Sequence, residues 1–290
     1  MTISMSLIHR LFDHGNYREG VCMKKIKSIY IDKEIREKAT EAQEGGLYFE
    51  GLCLGESAGF GITDLKRKPN GSKTATQERL DMQHLNFKVG CINNFINIQP
   101  LINTQVKVWK KFTDYIYVTG VLDIFPTTIL YLEEILPMVL IDLKTTKDLD
   151  NTFGNYAWGR FEDMDHSQLS MYSFLLRDLD IELNRKMGSK LATNNLYRKE
   201  WNDLYQNVPT FYWVFESGPK MRNQLFKVNQ DNGRINEVME LIRKTSGLID
   251  DEYSRPDGWS AQPSYNECRY CPLNPLNGGL CKEVNLIKEV

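Results

Sequence analysis

The chain has 290 residues, 41% of them hydrophobic and 11% aromatic, enough apolar material for one large core or two smaller ones. Charged residues make up 26%, which argues against wholesale disorder, and a formal net charge of -2 excludes a globally basic, histone-like mode of nucleic-acid binding. No run approaches the roughly 18 apolar residues of a membrane span, and Met1 to Tyr17 carries His9, Arg10 and Asp13 where a signal peptide has its apolar stretch. A cytoplasmic protein with no membrane partner is expected. Its six cysteines are then expected as reduced thiols or metal ligands rather than disulfides.

In chain order, Met5–Phe12 and Lys33–Leu54 read as helices. The second carries Ile35, Ala39, Ala42, Leu47 and Leu52, with Gly45-Gly46 in its middle. Asp64–Gly71 is a polar, basic turn, and Thr76–Ile98 reads as a helix with mixed faces. Thr104–Trp109 alternates polar and apolar residues, Tyr115–Phe125 is rich in β-branched and aromatic residues, and Met138–Leu143 is a short apolar run. These are strand signals. Ser167–Leu176 reads as a helix and Arg185–Asn207 as a polar, irregular insertion. Thr210–Glu216 and Asn223–Val228 form a hairpin about Ser217-Gly218-Pro219, and Ile235–Leu248 is an amphipathic helix. The tail from Asp257 is loop-like and holds three cysteines. This order predicts one α/β domain with a central mixed β-sheet flanked by helices.

Two short stretches carry most of the chemistry: Gly120-Val121-Leu122-Asp123 and Ile141-Asp142-Leu143-Lys144. Each acid ends an apolar, strand-like run. Asp142 and Lys144 are two apart, so in a strand they point to the same side. Pairing of the two strands brings Asp123 to the same cleft. Neighbouring half-buried carboxylates repel unless a cation lies between them, and hard oxygen donors suit Mg²⁺ or Mn²⁺. A lysine beside such a cation orients or deprotonates water and stabilises phosphate charge. The plainer alternative is a turn aspartate and a surface ion pair.

Gly120-x-x-Asp123, Asp142-x-Lys144 and Gln168-x-x-x-Tyr172, in that order, resemble the RecB-type nuclease family of the PD-(D/E)XK superfamily. That family includes the nuclease domains of RecB and AddB, CRISPR-adaptation nucleases and phage-type exonucleases. Asp142-Leu143-Lys144-Thr145-Thr146 and His166-Ser167-Gln168-Leu169-Ser170-Met171-Tyr172 are similar to its local sequences. The resemblance implies a restriction-endonuclease-like core, catalytic roles for Asp123, Asp142, Lys144, Gln168 and Tyr172, and metal contacts at Glu50, Asp123, Asp142 and Leu143. Glu50, in Gly46-Leu47-Tyr48-Phe49-Glu50, stands where the family often has a histidine, which makes the site harder. Gln168 and Tyr172 are four apart and share a helix face. The whole of 1–290 is then a single nuclease domain. Residues 1–100 are its mainly helical part, 101–180 the catalytic core, 181–256 an insertion, hairpin and helix, and 257–290 a cysteine-rich, metal-bound tail.

Cys268-Arg269-Tyr270-Cys271 and Cys281 lie in a loop rich in Gly, Pro and Asn, poor core material but good thiolate ligands. A four-coordinate centre needs one more, from Cys22, Cys53 or Cys91. Several members of the resembling family hold an iron–sulfur cluster on one N-terminal and three C-terminal cysteines, which implies Cys22 with Cys268, Cys271 and Cys281. Four thiolates suit a 4Fe–4S cluster or a structural Zn²⁺, and the spacing alone does not choose. Cys53 and Cys91 read as small buried residues.

Three basic clusters remain: Lys24, Lys25 and Lys27; Lys66, Arg67 and Lys68; and Lys107, Lys110 and Lys111. They read as solvated faces or phosphate contacts, with Tyr115, Tyr117 or Trp158 as candidate stacking partners for unpaired bases. Of His9, His14, His84 and His166, only His166 is expected near the site. The expected function is a metal-dependent DNA nuclease, an exonuclease of repair, recombination or phage replication acting on single- or double-stranded DNA. A non-catalytic DNA-binding or structural subunit with a nuclease-like fold is the alternative. The chain has no phosphate-loop motif, so a helicase or recombination partner would be a separate chain.

Overall fold

The computed structural model describes residues 1–13, 15–37, 39–55, 65–154, 156–194, 196, 202–256, 258–263 and 268–283. His14, Asp64, Asp257 and part of the Arg185–Asn207 stretch lie outside the described residues. The chain begins with β1 (Thr2–Ser4), α1 (Met5–Leu11), the small hairpin β2 (Phe12–Asp13) and β3 (Asn16–Tyr17), and α2 (Met23–Ile26), which continues as a π-helical turn over Lys27–Ile31. Then come α3 (Glu41–Leu54), α4 (Ala75–Asn93), β4 (Thr104–Lys111), β5 (Tyr117–Tyr131) and β6 (Glu134–Thr146). A 3-10 segment at Trp158–Asp163 leads to α5 (Ser167–Leu176), α6 (Ile181–Lys186), α7 (Lys190–Thr193) and α8 (Asn202–Gln206). The strands β7 (Thr210–Glu216) and β8 (Asn223–Val228) and the helix α9 (Asn232–Ser254) follow.

These elements form two compact units. One comprises Met1–Ala39, Lys111–Val118 and Asn236–Val290, the other Thr40–Lys110 and Thr119–Ile235. In the second unit the sheet is mixed. β4 and β6 both pair with β5, β6 antiparallel to it; β7 runs parallel to β6, and β8 antiparallel to β7. The register sets Ile124 opposite Ile141 and Asp142 opposite Tyr212. The parallel step from β6 to β7 needs a long crossover, and α5 lies within it. The expected α/β class with a central mixed sheet flanked by helices is what the chain adopts.

Side-chain alternation divides β6 between two faces. Ile141 and Leu143 join Tyr48, Phe49 and Leu54 of α3, Leu80 and Phe87 of α4, and Phe211, Trp213 and Phe215 of β7 in one core. The close approach of α4 explains the glycine late in that helix: a Cβ on Gly90 would stand 2.5 Å from the Trp213 ring. Asp142 and Lys144 leave β6 on the other face. There α5 presses on β5 at Gly120, where a Cβ would stand 2.8 Å from both Tyr172 Cε1 and Leu175 Cδ1.

In the first unit, Tyr117 donates its N–H to Met1 O at 2.8 Å, aligning β1 with the start of β5, and Ser4 caps α1. Lys24 donates its N–H to Ser260 O at 3.0 Å, which ties the start of α2 to the C-terminal segment. Among the described residues, no helix is long and apolar enough to cross a membrane.

Several boundaries differ from those read in the sequence. The helix expected from Lys33 begins at Glu41, because Lys33 adopts φ 58 and Thr40 forms a capping box with Gln43. The helix expected to reach Ile98 stops at Asn93, with Phe95 at φ 56. Arg185–Asn207 is not irregular throughout but carries α7 and α8. It is anchored by the fully buried Asn184 just before it, whose side chain accepts the Trp109 N–H at 3.0 Å and donates to Trp109 O at 2.8 Å.

Candidate active site

The sheet brings Asp123, Asp142 and Lys144 together because β5 and β6 are neighbours in the register just described. Asp123 Oδ2 accepts the Leu143 N–H at 2.8 Å, and its Oδ1 accepts from Gln105 Nε2 at 3.0 Å. Asp142, almost fully buried, forms an ion pair with Lys144 and accepts from Gln168 Nε2 at 3.2 Å. The same Gln168 nitrogen donates to Tyr172 Oη at 2.9 Å, so the two α5 residues meet the strand acids from above. Glu50, on α3, adds its charge to the same group and acts on both Asp123 and Tyr172.

The electrostatics are those of a crowded anionic site. Burial first, then the charges of Asp142 and Glu50, push the Asp123 carboxyl well above the usual range, with Lys144 and the Leu143 N–H opposing. Burial also raises Asp142, against the pull of Lys144. Burial alone would lower Lys144, but Asp142, Tyr156, Asp123 and Tyr212 together hold its ammonium above the ordinary value. Burial, Asp142 and Asp123 keep Tyr172 a phenol. Three carboxyl groups stand against one ammonium, and the donors are the hard oxygens that Mg²⁺ or Mn²⁺ prefers. Among the described residues, no three His, Cys, Asp or Glu side chains are gathered tightly enough to grip an ion as they stand. The Leu143 side chain lies in the core, so only its backbone is left to meet a metal.

Gln105 and Tyr212, which sequence reasoning did not single out, join the surroundings of the site. Gln105 is buried, and the polar–apolar alternation of Thr104–Trp109 already set it on a polar face. Tyr212 lies opposite Asp142, with Lys144 Nζ 5.8 Å from its ring centre. His166 is buried beside Phe161 and Tyr212, its Nε2 3.0 Å from Phe161 O. Trp158, a candidate for base stacking, is 3% exposed and closed off by Tyr156, Tyr212 and Phe226, so no base reaches it. Two of the basic clusters are partly internal: Lys25 is buried against Glu37 at 2.6 Å, and the Lys110 ammonium is bonded to Arg177 O.

The first unit holds a second grouping. Cys22, Cys268, Cys271 and Cys281 line one pocket with Lys25, Asn274 and Glu283. Cys271 donates its N–H to Cys268 O at 3.2 Å and Asn274 Nδ2 donates to Cys268 O at 2.9 Å, which folds the three C-terminal cysteines into a tight loop. Burial pushes the Cys91 thiol up to about 12 and Cys53 higher still, and it also raises Cys271 within the pocket; Cys53 and Cys91 lie outside that pocket.

No family model matches the chain, and no curated protein matches it in sequence. Among solved structures it is similar to the crystal structure of a "Putative exonuclease" from Eubacterium rectale, with a TM-score of 0.51 at 10% identity. The match covers 86% of this chain and 79% of that one. The chain has the fold of that protein. The likeness is one of architecture.

Proposed function

We propose that the chain is a metal-dependent deoxyribonuclease, an exonuclease of the RecB-type PD-(D/E)XK kind. The observation that carries this reading is the convergence of Asp123, Asp142, Lys144, Gln168 and Tyr172 on one face of one sheet. The likeness to a protein described as an exonuclease supports it. Asp123, Asp142, Glu50 and the Leu143 backbone would hold Mg²⁺ or Mn²⁺, which when bound supplies a Lewis acid and lowers the pKa of bound water. Gln105 and the Leu143 N–H orient Asp123. Lys144 sets an ammonium beside the phosphate position, where it orients water and balances developing charge. Gln168 holds Asp142 and Tyr172 with one amide nitrogen, leaving the Tyr172 hydroxyl proton to be donated to a phosphate oxygen.

Cys22, Cys268, Cys271 and Cys281 would hold a 4Fe–4S cluster, with structural Zn²⁺ as the other fit. Their sharing of one pocket is what supports a common centre. The substrate in this reading is DNA, processed in repair, recombination or phage replication, with any helicase or recombination partner on a separate chain. End-labelled single- and double-stranded DNA incubated with Mg²⁺, Mn²⁺ or EDTA tests it. Cleavage should need the divalent cation and disappear in Asp123→Ala and Asp142→Ala. Cleavage in EDTA, or wild-type turnover in either variant, would overturn it.

A further inference from the structure

The segment after β6 holds two large aromatic side chains in water. Phe153 is 81% exposed and Tyr156 is 47% exposed. A single exposed aromatic is ordinary, but this pair sits on a loop braced from within. Asn151 Nδ2 donates to Phe153 O at 2.8 Å and to Tyr156 O at 3.3 Å, and Asn151 Oδ1 accepts the Phe153 N–H at 3.2 Å. Next to it, Asp150 is bound by Lys220 at 2.5 Å and Arg222 at 2.9 Å.

Tyr156 is also backed from beneath. Its ring is stacked on Trp158, 5.9 Å between centres and 20° from parallel. The buried Trp158 meets Tyr212 edge-on at 5.5 Å and Phe226 at 5.5 Å. Tyr212 is the strand neighbour of Asp142 and lies under the Lys144 ammonium. A continuous run of rings therefore leads from the site's lysine to a half-exposed phenol.

We propose that Tyr156, with Phe153 on the same loop, is a stacking platform for an unpaired nucleobase adjoining the phosphodiester held at Asp123, Asp142 and Lys144. This rests on the reading of that site as a DNA hydrolase and adds a substrate class to it: single-stranded DNA or a frayed end. A base in an intact duplex already has both faces covered, whereas an unpaired base offers a face that any aromatic ring can take without regard to sequence. Rigid backing matters because a ring already fixed in place loses little freedom when a base lands on it.

The test is steady-state cleavage in Mg²⁺ of single-stranded oligonucleotides, normal or with one abasic position stepped inward from the end. Wild-type protein should lose about 5- to 150-fold in kcat/KM at one abasic position. Tyr156→Ala should lose a similar factor on normal DNA and nothing further on the abasic strand, while Tyr156→Phe, which keeps the ring, should retain activity. Phe153→Ala changes a side chain that lies in water, so it reports on the platform even if Tyr156→Ala folds poorly. The inference is overturned if no abasic position affects the wild type, if the two losses multiply, or if blunt duplex is the better substrate. Wild-type protein inert on every DNA would instead overturn the hydrolase reading beneath it.

Discussion

Gln105 Nε2 donates to Asp123 Oδ1 at 3.0 Å from a backbone held at φ 48, a left-handed conformation that costs a non-glycine residue about 1–3 kcal/mol. Its Oε1 is buried and finds no hydrogen-bond partner among the described residues. Gln105→Ala is expected to lower kcat by about 10- to 100-fold, in proportion to a hydrogen bond of about 1.5–3 kcal/mol to a charged group. Gln105→Gly also loses the amide but relieves the backbone, so it should melt above Gln105→Ala while losing the same activity. Kinetics and thermal melting of the two variants decide this; unchanged kcat in both would remove Gln105 from the site.

Asp123 is held against its own preference by burial and by the charges of Asp142 and Glu50. Asp123→Asn keeps the shape and removes one of the repelling charges. At neutral pH and without divalent metal it should melt a few degrees above the wild type, since active-site strain is relieved at the expense of function. Mn²⁺ should raise the melting temperature of the wild type and leave the variant unmoved, because only a ligand bound to the folded state stabilises it. Equal stabilisation of both proteins by Mn²⁺ would place the metal elsewhere.

Gly120 carries no side chain where the Tyr172 ring and Leu175 come closest. Gly120→Ala should force α5 off the strand, lowering stability by about 1–3 kcal/mol, the usual cost of overpacking. Because α5 also carries Gln168, the variant should lose cleavage beyond what its folded fraction explains. Denaturant melting together with activity per folded molecule measures both effects.

Cys22→Ser, Cys268→Ser, Cys271→Ser and Cys281→Ser should each deplete a common metal and lower the melting temperature, since metal binding energy is folding energy. Anaerobically prepared wild type should absorb broadly near roughly 400 nm if iron and sulfide are bound. Zinc at one equivalent without colour would assign the simpler centre. Cys91→Ser, outside the pocket, should retain the metal; its loss there, with retention in Cys22→Ser, would shift the fourth ligand.

The grouping of the candidate residues is legible in the sequence because strand alternation and helix spacing are local. The two-residue step from Asp142 to Lys144 and the four-residue step from Gln168 to Tyr172 each fix a shared side before any tertiary fold is known. Gly120 was visible as part of a motif, but its reason, the Tyr172 ring against it, lies some fifty residues away. The pairing of Gln105 with Asp123 depends on strand register and on a φ of 48 that no residue type announces. Lys33–Ala39 looked helical by its apolar spacing, yet the capping box at Thr40 set the real start. Trp158, read from the sequence as a stacking candidate, is buried, because exposure depends on which of two neighbouring rings the sheet covers.

The cysteine pocket draws on both ends of the numbering, while Glu50, Asp123 and Asp142 lie between them. Synthesis runs in one direction, so the two are built in sequence. When residue 267 leaves the ribosome, Glu50, Asp123, Asp142, Lys144, Gln168 and Tyr172 have all been made, and of the four pocket cysteines only Cys22 has. A chain that stops there carries every residue of the proposed hydrolytic site and one of the four pocket cysteines. If the four cysteines do hold one metal centre, that centre can close only after translation has run through Cys281.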